Sequence, residues 1–386
     1  MSLSRSKRFS VLSVALIRST LNVVSLIVSV LLIEIAQGFG KSIGVASQMM
    51  TFSSVLGAFT ALAMTFLTVK YSPTSLVKIG LALCFLSSLG SIFAPAYSVL
   101  FLLYGLTGIG TTLVAPMTTT IIGELTSGEE RSKSLGIVLA GSSIFWVFGY
   151  LIVGWISEWR LAFTYFATPV LALSLLAAVV LLPTIETRRE KESLFMGLRR
   201  IMANRSALSC LFATNIMGVW VVALNLTTSY WRDIHGMPLS TVTILTAAIA
   251  LTNALGSLAG GRFVPRLGIK RTTTICRILL GASLIVVLSS RDTLVSVAVA
   301  FFLSFTSGFN SPAGIGLKLR QVPEYRGSMM SLNSATGSLG SSLNLALMGV
   351  LLTSYGWAYA STVIGVIGII SGVLVHLFVT ENPQQA

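Results

Sequence analysis

Residues 9–35 read FSVLSVALIRSTLNVVSLIVSVLLIEI. About 20 apolar residues in a helix cross a bilayer, and this run is long enough. It makes the first element of the chain a membrane span. Arg18 lies inside it, about 13 Å from the start at 1.5 Å of rise per residue. Asn22, Ser25 and Ser29 follow Arg18 at helical steps, so the four polar side chains share one helix face. Such a stripe is costly against lipid. It is expected to face protein or a water-filled cavity, where a buried charge is a candidate for function. A structural reading stands beside this one. The Arg18 stem can snorkel to the interface, and Asn22 and the serines can bond to neighbouring helices.

The remaining sequence repeats the theme. Of its 386 residues, 54% are hydrophobic and 10% charged, against about 25% charged in soluble domains. Twelve apolar spans are expected, centred near Leu21, Leu56, Phe85, Gly110, Val147 and Ser174, then Val219, Ile249, Ile285, Leu303, Gly340 and Gly368. The longest polar interval divides them. The predicted organisation is an N-terminal six-helix bundle over residues 1–183, a linker over 184–206 and a C-terminal bundle over 207–386. Arg5, Lys7 and Arg8 precede too long an apolar run for a cleaved signal. Cys84, Cys210 and Cys276 lie in separate spans, with neither metal-ligand spacing nor a disulfide framework.

The net charge of +14 is a loop bias and not a nucleic-acid footprint. Of the 26 Lys and Arg, twenty fall on one set of alternate loops, Lys318 and Arg320 counted among them. Only Lys41, Arg160, Arg232 and Arg291 fall on the opposite set, and Arg18 and Arg277 lie within spans. By the positive-inside rule both termini and the linker are expected in the cytoplasm, in a multi-pass plasma-membrane protein. The halves also look duplicated. Arg131-Ser132-Lys133-Ser134 and Trp159-Arg160-Leu161-Ala162 correspond to Arg326-Gly327-Ser328-Met329 and Trp357-Ala358-Tyr359-Ala360, as in transporter repeats. At this offset Arg18 falls opposite the neighbourhood of Asn215.

Gly261-Arg262-Phe263-Val264-Pro265-Arg266-Leu267-Gly268-Ile269-Lys270-Arg271 lies between spans 8 and 9. It resembles the signature loop of the major facilitator superfamily, with both glycines (Gly261, Gly268) and basic residues Arg262, Arg266 and Lys270. Pro265 stands where the family has an acid. The equivalent loop between spans 2 and 3, Thr65 to Pro73, has Val69 at that position. Gly141, Gly149 and Gly154 in span 5 resemble the family's glycine-proline motif, with Tyr150 in the proline position. Tyr104 in span 4 sits where many members carry arginine.

The resemblance implies an all-α membrane protein of twelve transmembrane helices in two pseudo-symmetric six-helix bundles. It also implies alternating access to a cavity framed by spans 1, 4, 7 and 10. The candidate substrate-binding residues are then Arg18, Asn22, Tyr104, Asn215 and Asn310, with Asn225 also in a framing span. Trp146, Asn253, Asn333 and Asn344 lie in flanking spans. Each could equally bond between helices. Trp231, at the outer end of span 7, reads as an interfacial anchor.

None of the twelve acids lies mid-span, so carboxylate-based proton coupling lacks its residue. His235 reads as an external-loop residue and His376 as a structural one late in span 12. A buried cation without an acid invites an anionic substrate that supplies the countercharge. No catalytic residue, metal site or cofactor is expected, and the chain does not read as an enzyme. Gly40-Lys41-Ser42 lacks the glycine and strand of a phosphate-binding loop. Gly256 to Gly260 reads as helix packing. The expectation is a monomeric permease for a small organic solute, anionic if Arg18 faces the cavity. Its partners are that solute and the lipid bilayer, with no nucleic acid. Efflux of hydrophobic compounds, and a non-transporting sensor or scaffold, remain the alternatives. The sequence leaves substrate, direction and coupling ion open.

Overall fold

The computed structural model of the chain describes residues 5–125, 128–183 and 198–381. Residues 184–197 of the expected linker lie outside them. Span 1 is assembled from Arg5–Thr20, Val23–Val30 and Leu32–Gly38. Spans 2 to 5 are Ile43–Lys70, Pro73–Ile92, Tyr97–Leu125 and Gly128–Ile156. Span 6 comprises Trp159–Ala162, a π-helical Phe163–Ala167 and Thr168–Val180. Span 7 comprises Arg205–Leu211, a π-helical Phe212–Ile216 and Trp220–His235. Spans 8 to 10 are Leu239–Leu267, Ile269–Ser289 and Thr293–Gln321. One helix, Arg326–Phe378, holds spans 11 and 12, kinked at Gly356 with φ 78°.

Ten described helices are long and apolar enough to cross a membrane. One of them, Ser328–Phe378, is two spans, and Gly128–Ile156 supplies a further one, which gives the expected twelve. There is no strand among the described residues. All-helical spanning follows from the absence of water in lipid, where each backbone polar group must be paired within its own segment.

The chain forms two compact units. Unit 1 is Met1–Gly40 with Phe52–Arg189, and unit 2 is Lys41–Thr51 with Glu190–Ala386. Lipid gives helices no hydrophobic reason to associate, so small residues and polar pairs hold a bundle together. In unit 1, a Cβ on Gly80 of span 3 would stand 2.7 Å from the Gly110 carbonyl of span 4. Span 5 meets span 1 at Gly141 and Gly149, which abut Ser19 and Leu26. Thr20 and Ser174 join spans 1 and 6 through their hydroxyls at 2.6 Å. The turn between spans 2 and 3 has lost the signature residues and uses another device. Ser72 accepts from the Ser75 N–H, and Pro73 opens the next helix.

In unit 2, Gly256 and Gly260 of span 8 lie against Phe305 and Phe309 of span 10. The stretch expected as a loop, Gly261 to Arg271, is helical except at one residue. Span 8 runs through Pro265 to Leu267, and Gly268, at φ 89°, alone makes the joint to span 9. Arg262 and Arg266 are exposed near the end of span 8, Arg266 on its last turn. Trp231 is no interfacial anchor. It is fully buried, and its Nε1–H donates to Ser296 Oγ at 2.7 Å, the partner a buried indole needs. His235 ends the span 7 helix, with Nδ1 3.0 Å from Thr293 Oγ1.

Candidate functional site

The expected site residues divide between the two units. Unit 1 holds Arg18, Asn22 and Tyr104. The span 1 helix breaks at Leu21–Asn22, where Asn22 has φ −99° and ψ 13° and caps nothing. Arg18 and Asn22 are half-buried, and neither forms a side-chain hydrogen bond or ion pair with a described residue. Ser25 continues the stripe and accepts a long bond, 3.4 Å, from the buried Tyr104 hydroxyl of span 4. Ser29 is buried and bonds back to the Leu26 carbonyl. The stripe is therefore present, and its charged member has no described partner.

Unit 2 holds Asn215 and Asn310, and both line one cavity of about 380 Å³. The cavity also exposes Trp220, Asn253, Arg277 and Lys318, so spans 7, 8, 9 and 10 all contribute to its wall. Its position follows from span 7. The π-helical segment lengthens the hydrogen-bond ring and frees backbone carbonyls, and the helix then stops at Met217–Val219. Each carbonyl of the segment still finds a donor, as buried backbone must. Met217 N–H serves Phe212 and Gly218 N–H serves Asn215. Arg277 Nη1 serves Ala213 at 3.2 Å, and its Nη2 serves Thr214. Ser371 Oγ also donates to Ala213, and Asn344 Nδ2 donates to Ile216 at 2.8 Å.

This scaffold fixes Asn215. Its Nδ2 donates to Thr336 Oγ1 at 2.7 Å and to the Asn333 carbonyl at 3.1 Å. Its Oδ1 accepts from Lys318 Nζ at 2.8 Å, and Lys318 donates as well to Asn333 Oδ1. Lys318 is only 8% exposed. The described residues lining the cavity include no Asp or Glu. Two basic side chains thus share a buried cavity wall with neutral partners only. Arg277 gives Nη1 and Nη2 to the span 7 backbone and Ser371, its Nε has no partner among the described residues, and Lys318 stands on the same cavity wall. Asn310 is 9% exposed, and its Oδ1 is buried without a partner among the described residues.

Lys318 corrects the loop reading. It belongs to the last turn of span 10, which ends at Gln321, and its side chain folds into the bundle. A signal was present: Ser307, Asn310, Ser311, Gly314 and Lys318 recur at helical spacing on one face. The flanking asparagines sort differently. Asn333 is part of the lysine network, Asn344 caps span 7, and Asn253 donates to the Ser304 carbonyl at 3.0 Å. Asn225 bonds to Val221 of its own helix. Trp146 packs against Tyr150 in unit 1, ring centroids 5.6 Å apart.

Comparison with known proteins gives the same architecture. The chain is 25% identical over 277 residues to an uncharacterized MFS-type transporter, YceJ, of Bacillus subtilis (strain 168), covering 68% of each protein. It is 24% identical over 299 residues to Multidrug resistance protein 2 of the same organism, covering 73% of each. Among solved structures, a bacterial homologue of the human lysosomal transporter Spinster superposes with a TM-score of 0.75 at 15% identity, over 97% of both chains. The nucleoside transporter NupG superposes with a TM-score of 0.76 at 14% identity, over 97% of this chain and 99% of that one. The family model described as Major Facilitator Superfamily matches residues 12–212 and 208–386, and the chain therefore belongs to that superfamily of membrane transporters.

Proposed function

We propose that this transporter moves a small organic solute bearing an anionic group, by alternating access, and that the cavity of unit 2 is where the anion binds. The single observation that carries the reading is Lys318. It is a buried basic side chain held by two asparagine oxygens, in a cavity whose described lining has no acid. A charge inside a bundle is costly without an opposite charge, and an anionic ligand supplies one. About 380 Å³ is at the lower end of small-molecule sites, which span roughly 300–1,000 Å³. Trp220, Met217, Leu280 and Ile315 offer an apolar wall for the rest of the solute. Arg18, which has no described partner, supports the same preference. The loop charge bias supports cytoplasmic termini in a plasma membrane.

Efflux of hydrophobic compounds is the second reading. It rests on the similarity to a relative named for multidrug resistance and on the apolar part of the cavity wall. Thermal unfolding of the purified protein against a panel of carboxylates, phosphates and neutral hydrophobic compounds separates the two, because a ligand of the folded state raises its stability by mass action. The expected result is stabilisation by anions that Lys318→Met abolishes. The same substitution takes the donor from Asn215 Oδ1 and is expected to cost about 1–3 kcal/mol, so each ligand response is read against the unliganded variant. Stabilisation by neutral hydrophobic compounds alone, unchanged in Lys318→Met, would favour efflux. Arg18→Ala, run alongside, shows whether unit 1 shares the anion. Flux of a stabilising compound into sealed proteoliposomes would exclude a non-transporting sensor.

A further inference from the structure

The structure points to Lys318 as a proton-binding site as well as a countercharge: we infer that Lys318 takes up one proton with each anionic group bound and gives it up when that group leaves. The inference rests on the anion reading above and assigns the coupling ion to it. The acids of this sequence offer no mid-span carboxylate for the task, and the cavity offers a lysine.

The hydrogen-bond count at Nζ motivates the assignment. A neutral amine has two N–H donors and one lone pair. An ammonium has three donors and none. Lys318 has two acceptors in the protein, Asn215 Oδ1 and Asn333 Oδ1. These satisfy the amine completely, with its lone pair left toward the cavity. They leave the third N–H of the ammonium without a described protein acceptor, and an anion in the cavity is the partner that completes it. The two protonation states of Nζ thus match the empty and the loaded cavity. Arginine could not serve, because it keeps its proton. Arg277 is accordingly tied to the span 7 backbone.

The groups around Lys318 fit this division of labour. Span 9 presents Arg277 and span 7 presents the Cys210 thiol, the two charged or titratable groups that act on Lys318. Spans 8 and 11 present Asn253 and Asn333, which do not titrate. Span 12 presents Gly368 to the cavity, and its His376 is exposed. Arg277 is a fixed positive charge beside Lys318, and a second positive charge there is least tolerable when no anion is present. The cycle balances. Cavity water on one side delivers a proton to the Nζ lone pair as the anion enters. After the anion departs on the other side, Nζ returns that proton to water and again donates only to Asn215 and Asn333. One proton therefore crosses with each anionic group.

NMR of the full chain in liposomes, with isotope-labelled lysine Nζ, reads the protonation state directly. The chain has eight lysines, and Lys318→Arg assigns the signal in question. Without ligand, one lysine signal is expected to change from ammonium to amine as the pH is raised, and that signal is missing from Lys318→Arg. Added 4-hydroxybenzoate or inorganic phosphate, whichever stabilises the wild type, is expected to return the signal to ammonium at constant pH. If all eight lysines remain ammonium, the proton site is wrong, even where anions stabilise the protein and the anion reading stands. If Lys318 titrates but no anion stabilises the protein or shifts the signal, the coupling is overturned together with the anion reading.

Discussion

The first span of unit 1 and the first span of unit 2 break in similar places and treat the break differently. In span 1 the helix stops at Leu21–Asn22, and Asn22 caps nothing. Arg18, one turn earlier, has no described partner. In span 7 the helix stops at Met217–Val219, and the carbonyls before the stop are served by Arg277, Ser371 and Asn344. Arg277 is thereby built into the architecture of unit 2, while Arg18 of unit 1 has no described partner. A charge that ties backbone groups has a structural role of its own. A charge with no described partner is a candidate for meeting a ligand. The same residue type can therefore be scaffold in one repeat and candidate contact in the other.

Removing one arginine from each unit should have the most unequal consequences. Arg277→Met strips donors from the buried Ala213 and Thr214 carbonyls, and an unsatisfied buried group costs about 1–3 kcal/mol. The expected loss is about 3 kcal/mol in detergent unfolding, with the anion response lost as span 7 shifts. Arg18→Ala removes no described bond and is expected to cost under about 1 kcal/mol. Equal losses in the two variants would mean that Arg18 is also tied, and the contrast would fail.

A smaller effect sharpens it. Asn215→Asp places a carboxylate on Lys318 in place of an amide oxygen. Its second oxygen also replaces the Nδ2 that serves the Asn333 carbonyl, so no gain in unfolding temperature is expected, and anions are expected to bind about tenfold more weakly, a difference of about 1.4 kcal/mol. Anion titration by thermal shift reads both, and undiminished binding would show that Lys318 is not the anion's partner. The smallest expected effect is in unit 1. Tyr104→Phe removes only the 3.4 Å bond to Ser25 and should cost about 0.5 kcal/mol. A substantially larger loss would reveal a polar network in unit 1 comparable to that of unit 2.

The fold was legible because lipid imposes a length and a polarity on every span. Residues 9–35 and the loop charge bias were enough for that, and Asn215 and Asn310 could be named from their spans. Lys318 was hidden by the rule that made the topology readable. Counting Lys and Arg by loop ignores whether a charge near a helix end turns outward or back into the bundle, and Lys318 turns back. Trp231 misled for the related reason that aromatic residues near a span end serve both as anchors and as buried hydrogen-bond donors. Arg277 was visible inside span 9, but its role depends on the π-helical segment of span 7. Apolar periodicity does not announce a π turn, since one extra residue in the ring changes the register without changing the composition.

Gly268 has a consequence for how this chain can vary. Spans 8 and 9 share a single-residue joint, so no slack separates them and their rotational phases are locked like meshed gears. One inserted residue at that joint would turn span 9 by about 100°, the angle per residue of an α-helix. Arg277 would swing away from span 7, and the carbonyls it serves would be stranded. Length polymorphism should therefore be absent from this hinge, while point changes at the exposed Arg262 and Arg266 beside it pass with little structural effect.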